Sequence, residues 1–368
     1  MINYIRIILR KEIKNKLTLF ALNFLSHIYY LIIEIKLFLY EKKIIKQHHI
    51  QAKVISIGNI TLGGTGKTPA VIEIANLFQN KKLAVLSRGY KSQYEHKMAV
   101  VSDGNQILIK AVEAGDEPYL LARRLPAVPI IIGKDRVKSA KYAIDKFGTE
   151  LIILDDGFQY WQLKRDLDIV LINGKDPYGN ANIFPLGILR EPIRNLKRAH
   201  IFIISKVDQS LNRAKIIQDL KRINPAALIL ESIHKPIKFI GLNSKEEYPL
   251  EFVKDIDILA LSSIGDSDSF EFTLKKLVSK NFIHIKFPDH YVYTKKDIHK
   301  LIDYLQGISF IITTEKDIVR LKEIAPPDLP ILYLMIKFEI ITTNWQKLLV
   351  EHLPDIPFHI LHQSSNLN

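Results

Sequence analysis

The chain has 368 residues, of which 47% are hydrophobic and 25% charged, a composition that excludes an intrinsically disordered protein. It contains no cysteine, which excludes disulfides and thiolate metal sites and suits a reducing compartment. Its formal net charge of +13 favours an anionic partner: nucleic acid, an acidic membrane or a phosphorylated substrate. The length favours about two domains.

The N-terminal segment joins a basic stretch, MINYIRIILRKEIKNK, to the nearly apolar stretch Leu17–Tyr40. On a helix, its polar residues fall on one narrow stripe made of Lys16, Asn23, His27, Glu34 and Glu41. A lone membrane-spanning helix would bury three of these groups in lipid at considerable cost. We therefore predict a helix that lies at the membrane interface, or half on lipid and half on protein. A full span and a buried soluble helix are the alternatives.

From Lys53 onward, short apolar runs end in polar or glycine residues, and helical segments separate some of them. The predicted strands are KVISIGN, KLAVLSRGY, LIILDDGF, LDIVLIN and AHIFIISKVD. AVIEIANLFQ and VKSAKYAIDKF are predicted helices. Continuous apolar strands that alternate with helices indicate a mostly parallel sheet covered on both faces. A smaller second set follows from Asp255: DILALSSIG, FIHIKFPDH, FIITTEKD and ILYLMIKF.

A glycine-rich stretch, GNITLGGTGKTP, lies between the first of these strands and the first helix. Strand, loop and helix in this order are typical of a phosphate-binding loop, although Thr61 stands where the pattern has its first glycine. The glycines let backbone N–H groups surround a phosphate, and Lys67 would reach the β- and γ-phosphates. The alternative is a glycine turn with a chance Lys-Thr. The predicted nucleotide-binding residues are Thr61, Leu62, Gly63, Gly64, Thr65, Gly66, Lys67 and Thr68.

Two carboxylates, Asp155 and Asp156, follow the apolar run LIIL. An apolar strand that ends in aspartate is the usual partner of a phosphate loop and binds Mg²⁺ together with the hydroxyl of Thr68. A solvated Asp-Asp-Gly turn is the plainer interpretation.

Further polar clusters follow other strands: SRGYK, AGDEP, FPLGILREP and FPDHYVYT. Loops at the carboxyl ends of parallel strands converge on one crevice, so these clusters are candidates for a shared site. Each has an ordinary alternative: Asp116 as a helix cap, His290 as a surface histidine, and Arg190 as part of a structural ion pair. The stretch ISKVD resembles the base-reading loop of GTPases, and it does not by itself distinguish ATP from GTP.

Taken together, GNITLGGTGKTP, LSRGYK, GDEP, DDGFQ, PLGILREP, FPDHYVYT and TTEKD resemble, in this order, the tetraacyldisaccharide 4'-kinase family, the lipid A kinases of Gram-negative bacteria. The family has Ser or Thr at the position of Thr61. Two departures stand out. The family commonly has His after DDGFQ, where this chain has Tyr160, and its GIGxP stretch is replaced by SIGDS at Ser263–Ser267.

The resemblance implies transfer of the γ-phosphate of ATP to the 4'-hydroxyl of a tetraacyldisaccharide 1-phosphate, an acylated glucosamine disaccharide, forming lipid IVA. It implies that Asp116 is the base, that His290 assists it across the cleft, and that Lys67 acts on the phosphates. The implied Mg²⁺ residues are Thr68, Asp155, Asp156 and Glu117. The implied substrate residues are Arg88, Tyr90, Gln159 and Arg190.

The predicted fold is therefore an α/β fold with a P-loop NTPase-like sheet, a smaller C-terminal α/β domain and an N-terminal membrane-associated helix. The predicted division is 1–45 for that helix, 46–226 for the P-loop kinase domain, 227–242 for an extended linker around Pro236, 243–345 for the smaller domain, and 346–368 for a C-terminal helix and tail.

The expected location is the cytoplasmic face of the bacterial inner membrane, held peripherally or monotopically. The expected partners are the acylated disaccharide and the lipid surface, with no obligate protein partner evident. Nucleic acid is not expected, since no recognition motif accompanies the positive charge. The alternative function is a membrane-associated P-loop ATPase or GTPase switch that acts on a protein partner.

Overall fold

The computed structural model describes residues 15–353 except residues 95, 281 and 305–307. The predicted basic stretch before residue 15 and the predicted tail after residue 353 lie outside these residues. The helices are α1 (Lys16–Glu41), α2 (Lys67–Leu77), α3 (Ala111–Ala114), α4 (Asp116–Arg124), α5 (Arg136–Phe147), α6 (Arg213–Ile223), α7 (Ser267–Leu277), α8 (Lys295–Asp303), α9 (Glu315–Leu321) and α10 (Trp345–Glu351). The strands are β1 (Lys53–Gly58), β2 (Leu83–Ser87), β3 (Ala99–Asp103), β4 (Pro129–Ile132), β5 (Leu151–Asp155), β6 (Leu167–Asn173), β7 (Ile201–Ser205), β8 (Leu228–Gly241), β9 (Glu247–Tyr248), β10 (Ile258–Ser262), β11 (Phe282–Lys286), β12 (Phe310–Thr314) and β13 (Ile331–Ile340).

The strands form one sheet of 13 strands in the described part of the chain. Its order is β11-β10-β12-β13-β8-β7-β6-β1-β5-β2-β4-β3, with β9 beside β8. Neighbouring strands are parallel except where β3 meets β4 and where β8 meets β9 and β13. The predicted mostly parallel sheet is confirmed, and so is the smaller second set of strands, which occupies the end of the sheet from β13 to β11.

Helices cover both faces of the sheet, as the continuous apolar strands predicted. On one face, Val71 and Phe78 of α2 pack in a cluster with Ile57 of β1 and Ile153 of β5. On the other face, Ala140 and other small residues of α5 pack against β2 and β5. Every residue of β5 is buried, so the two aspartates that follow its apolar run emerge directly from the core.

The segment around Pro236 is a single strand, β8, which belongs to both sets of strands. Its first residues pair in parallel with β7, as Leu228 does with Ile201. From Ser232 to Gly241 it runs antiparallel to β13, with an irregularity where Pro236 faces Ile336. Proline cannot donate to a strand ladder, which explains the irregular register there. The boundaries of the predicted domains remain a prediction.

Helix α1 packs on the body of the protein along one face only. Asn15 caps its first turn, with its side-chain oxygen 2.9 Å from the backbone nitrogen of Leu17. Ile33 and Leu37 pack against Trp161, and the Ser26 hydroxyl donates to the carbonyl oxygen of Ile183 (2.8 Å). The opposite face is apolar and exposed: Leu17, Phe20, Phe24, Leu25, Ile28, Leu31, Ile32, Ile35 and Phe38.

By length and composition, α1 could cross a membrane, and only 17% of its most apolar stretch is buried in the protein. The predicted polar stripe lies next to the buried face. Within it, Glu34 forms an ion pair with Arg194 (2.5 Å), while Asn23 and His27 are exposed. The helix therefore has one face on the protein and a broad exposed apolar face, as the prediction of a helix shared between protein and lipid requires; its contact with lipid remains a prediction.

Two neighbouring isoleucines of α1 lie on its two different faces, one against the protein and one exposed. Ile33 is 7% exposed and Ile32 is 57% exposed. We expect Ile33→Ala to lower the free energy of unfolding by about 2 kcal/mol, because it leaves a cavity against Trp161. Ile32→Ala is the matched control: it should leave the urea midpoint unchanged and weaken binding to phospholipid vesicles in a flotation assay. Equal effects of the two changes on unfolding would contradict this division of the helix.

Candidate active site

The phosphate loop connects β1, which ends at Gly58, to α2, which begins at Lys67. Gly63 (φ 109°) and Gly66 (φ 89°) take left-handed backbone conformations, which glycine adopts without strain. Thr61 is not among the residues with positive φ, and it forms a β-bridge with Leu189. A β-branched residue suits that extended backbone, so no glycine is needed at the loop entry.

The loop is held in place from both sides. The N–H of Leu62 donates to the carbonyl oxygen of Ile188 (2.8 Å), and the Asn59 amide donates to the Thr65 hydroxyl (2.9 Å). The Ser205 hydroxyl donates to the carbonyl oxygen of Thr65 (2.9 Å). These bonds fix the cradle before any nucleotide arrives.

Lys67 and the two aspartates meet at the end of the loop. The Nζ atom of Lys67 lies 3.4 Å from Asn59 Oδ1 and 3.7 Å from Asp156 Oδ1. One nitrogen of Arg190 donates to both oxygens of Asp156 at 2.8 Å. Burial opposes the charge of Asp156, but Arg190 and Lys67 outweigh it and hold its pKa well below the ordinary value.

Asp155 has the opposite electrostatic environment. It is 3% exposed, and the Ser87 hydroxyl donates to it at 3.0 Å. Burial, helped by the charges of Glu117 and Asp156, raises the pKa of Asp155 to about 7. A divalent cation would stabilise the ionised form of this carboxylate. Together with the hydroxyl of Thr68, the pair fits Mg²⁺, which takes one or two carboxylates and fills its remaining positions with water and phosphate oxygens.

Asp116 and His290 come together from opposite halves of the sheet. Asp116 begins α4, and His290 lies in the loop after β11. His290 Nδ1 is 3.1 Å from Asp116 Oδ2, and Arg320 Nε is 3.3 Å from the same oxygen. Burial would raise the pKa of Asp116, but His290 and Arg320 outweigh it, so the pKa lies below its ordinary value and the group is ionised at neutral pH.

Lys316 connects this pair to Glu117. Its Nζ atom donates to Glu117 Oε1 at 2.9 Å and lies 3.3 Å from His290 Nε2 and 3.7 Å from Asp289 Oδ1. The charge of Lys316 is the main reason that the pKa of Glu117 falls to about 2. Lys316 and Arg320 were not predicted as site residues. The available signal was the TTEKD stretch at the end of β12, since polar residues at a strand end are candidates for the crevice.

The predicted substrate residues have different surroundings. Arg190 is engaged by Asp156, and the Gln159 amide donates to the carbonyl oxygen of Asn59 (2.9 Å) and to Glu191 (2.7 Å). Tyr90 is 45% exposed, and its ring centroid lies 6.0 Å from that of His290. Arg88 is exposed in the turn after β2. Tyr90 therefore lies next to His290 with its side chain partly exposed, whereas Gln159 and Arg190 are held by other residues of the protein.

The predicted base-contact stretch ISKVD holds the phosphate loop. Lys206 is 3% exposed, and its Nζ atom donates to the carbonyl oxygen of Gly64 (3.0 Å) and to Asp266 (2.5 Å). Asp266 belongs to SIGDS, whose Gly265 lies so close that an added Cβ would be 2.8 Å from the nitrogen of Gly64. The departure from GIGxP thus supplies a buried ion pair between the two sets of strands. Asp208 is paired with Lys276 (3.2 Å).

The structure therefore brings together the predicted residues Lys67, Asp155, Asp156, Asp116, Glu117 and His290. It adds Lys316, Arg320 and Arg136, an arginine that is 7% exposed. A cradle for phosphate, a carboxylate pair for a cation and an ionised carboxylate beside a histidine are the groups that phosphoryl transfer to a hydroxyl requires.

Comparison with known proteins agrees with this chemistry. The family model for "Tetraacyldisaccharide-1-P 4'-kinase" matches residues 18–354. A tetraacyldisaccharide 4'-kinase of Halothermothrix orenii is 41% identical over 84% of this chain and 85% of its own length. The one of Desulfatibacillum aliphaticivorans is 36% identical over 82% and 83%. The crystal structure of LpxK from Aquifex aeolicus in complex with ATP has a TM-score of 0.70 and 28% identity, covering 91% of this chain and 99% of that one. The chain belongs to the tetraacyldisaccharide-1-P 4'-kinase family.

Proposed function

We propose that this protein transfers the γ-phosphate of ATP to the 4'-hydroxyl of a tetraacyldisaccharide 1-phosphate, forming lipid IVA in lipid A biosynthesis, with Asp116 as the base. Membership of the family supports the reaction. The contact between Asp116 and His290 across the cleft carries the catalytic assignment. A P-loop switch that only hydrolyses nucleotide has no need of a carboxylate–histidine pair formed between the two halves of the sheet.

The phosphate loop binds the donor. Backbone N–H groups from Gly63 to Thr68 surround the phosphates, and Lys67 reaches their β- and γ-oxygens. Thr68, Asp155 and Asp156 would hold Mg²⁺, with Glu117 nearby. When bound, Mg²⁺ neutralises the phosphate oxygens during transfer.

Asp116 receives the proton. The 4'-oxygen forms a bond to the γ-phosphorus, the bond from that phosphorus to the β–γ bridging oxygen breaks, and the hydroxyl proton passes to Asp116. His290 and Arg320 lie on one oxygen of Asp116, so they orient the carboxylate and leave the other oxygen for the acceptor. A carboxylate of low pKa is sufficient, because phosphoryl transfer through a loose transition state leaves the proton on the hydroxyl until late.

The exposed face of α1 supports a membrane surface as the second partner. An acylated substrate resides in the bilayer, and the apolar face of α1 would keep the cleft beside it. Basic residues near anionic lipid add about 1 kcal/mol each. Because ATP is cytoplasmic, the cytoplasmic face of the inner membrane is the proposed location, with α1 held monotopically.

The reaction itself is tested by mass. Purified protein is incubated in detergent micelles with ATP, Mg²⁺ and a tetraacyldisaccharide 1-phosphate, and the lipid is read by mass spectrometry. We expect the lipid to gain the mass of one phosphate at the 4'-position. ATP hydrolysis without a phosphorylated lipid would support the switch instead.

The roles of the base and its partner are distinguished by two substitutions. Asp116→Ala should lower kcat by about 1,000-fold while the affinity for ATP changes little, since the group acts only in transfer. His290→Ala should lower kcat by about tenfold, because it orients the base without replacing it. Asp145→Ala, at an exposed position of α5, is the control and should behave as wild type. An Asp116→Ala variant with wild-type kcat would remove Asp116 as the base.

Asp155 predicts a pH dependence for the metal. Its carboxyl group, with a pKa raised to about 7, is increasingly protonated as the pH falls below that value, and a proton there competes with Mg²⁺. Between about pH 8 and pH 6 the Mg²⁺ concentration for half-maximal activity should rise about tenfold at fixed ATP. Asp155→Asn, measured by Mn²⁺ binding at the same pH values, should lose this part of the dependence. The same slope in both proteins would contradict the assignment.

A further inference from the structure

Arg136, the first residue of α5, is a buried cation without an anion. Arg136 is only 7% exposed, so its side chain lies almost entirely inside the protein. Among the described residues, no carboxylate forms an ion pair with it, and its Nε atom is buried without a hydrogen-bond partner. A buried charge without a partner costs several kcal/mol, so such a residue is retained only where something else requires it.

The topology of the sheet places Arg136 beside the carboxylate pair. Ser87, which donates to Asp155, is in register with Ile132 at the end of β4, and α5 begins with Arg136 four residues later. Burial lowers the pKa of its guanidinium, while the charges of Asp156 and Asp155 oppose this effect and Arg88 adds to it. Arg136 thus lies at the edge of the sheet that carries Asp155 and Asp156, and it forms an ion pair with neither of them.

Tyr160 holds Arg136 in this position. Its ring lies under the guanidinium, 4.7 Å from the ring centroid to Cζ, and its hydroxyl oxygen accepts the backbone N–H of Arg136 (2.9 Å). Asp135 caps the next two N–H groups of α5, both at 3.1 Å. The tyrosine therefore acts on Arg136 through both its ring and its hydroxyl.

We propose that Arg136 binds a phosphate oxygen in the cleft and that Tyr160 is the positioning residue that aims it. The planar guanidinium donates in a fork that matches phosphate geometry. The inference deepens the proposed function, on which it rests. Two phosphates can supply the oxygen: the group in transfer from ATP, or the 1-phosphate of the acceptor.

The first test compares stability with activity. Arg136→Met keeps the aliphatic volume and removes the charge, so it should leave Tm unchanged or raise it while lowering kcat/KM by about 100-fold. Arg136→Lys keeps the charge but loses the forked donor geometry, so its kcat/KM should lie between those of the wild type and of Arg136→Met. A fall in Tm that accounts for the lost activity, or activity within twofold of wild type, would overturn the proposal.

The acceptor then identifies the phosphate. The same variants are assayed with the tetraacyldisaccharide 1-phosphate and with the disaccharide that lacks the 1-phosphate. An equal loss with both acceptors assigns the oxygen to the group in transfer. A loss confined to the 1-phosphate acceptor assigns it to the lipid.

Tyr160 is tested by a double-mutant cycle. Tyr160→Leu removes both contacts and should lower kcat/KM by about tenfold, whereas Tyr160→Phe, which keeps the ring under the guanidinium, should lose less. In the Arg136→Met background, Tyr160→Leu should cost little more, because it acts through Arg136. Additive losses would show that Tyr160 does not act through Arg136.

Binding separates this inference from the reaction on which it rests. If the wild-type protein phosphorylates the lipid, failure of the Arg136 variants to change that activity counts against the inference alone. If the wild-type protein does not phosphorylate the lipid, the inference is still tested by titration calorimetry with two probes: ADP with aluminium fluoride, and the lipid 1-phosphate in micelles. If Arg136→Met binds both probes with wild-type affinity, the proposal that Arg136 binds phosphate is overturned. Weaker binding of either probe supports it.

Discussion

The parallel pairing of β1 with β5, in which Ile57 lies beside Asp155, places the phosphate loop next to the carboxylate pair. Both strands are buried on both faces, so neither can shift without moving the core. The neighbouring residues of the site contact this edge of the sheet. Lys67 forms an ion pair with Asp156, and the hydroxyl of Ser87, from β2, donates to Asp155. The register of backbone hydrogen bonds between two parallel strands thus fixes the distance between the phosphate loop and the carboxylate pair.

The burial of charged side chains is the second constraint on the site. Most of these side chains are paired with a side chain of opposite charge. Asp156 has Arg190 and Lys67, Glu117 has Lys316, Asp116 has His290 and Arg320, and Lys206 has Asp266. Several of these pairs join residues from the two ends of the sheet, so the same contacts that complete the site hold its halves together. Asp155 and Arg136 are the exceptions, each short of a partner of opposite charge. A bound cation and a bound anion would correct the two imbalances at once.

Local patterns predicted the parts of the site that are continuous in sequence. The strand, glycines and helix around Lys67 define a phosphate loop by themselves, and the run into Asp155 and Asp156 needs no tertiary information. Asp116 and His290 could be nominated but not paired by residue spacing alone, because 174 residues separate them.

Other residues of the site could not be predicted from the sequence, because their roles depend on contacts made only in the folded protein. In sequence, Arg136 is one basic residue at the start of an amphipathic helix, a position that is usually solvated; only the packing of Tyr160 over it reveals a buried charge. Lys316 similarly reads as a surface lysine after a strand. The role of SIGDS, which faces Lys206 across the cleft, is invisible until the two ends of the sheet are seen together.

The contacts of α1 have a mechanical consequence. Ser26 bonds to Ile183, the segment after Ile183 pairs with Thr61 and Leu62 of the phosphate loop, and Arg190 in the same segment holds Asp156. Only a few hydrogen bonds thus separate α1, with its exposed apolar face, from the carboxylate pair Asp155 and Asp156. A surface bound by the apolar face of α1 would therefore also bear on the nucleotide site, so conditions that loosen α1 from the protein would disturb the turnover of bound substrate in addition to its capture.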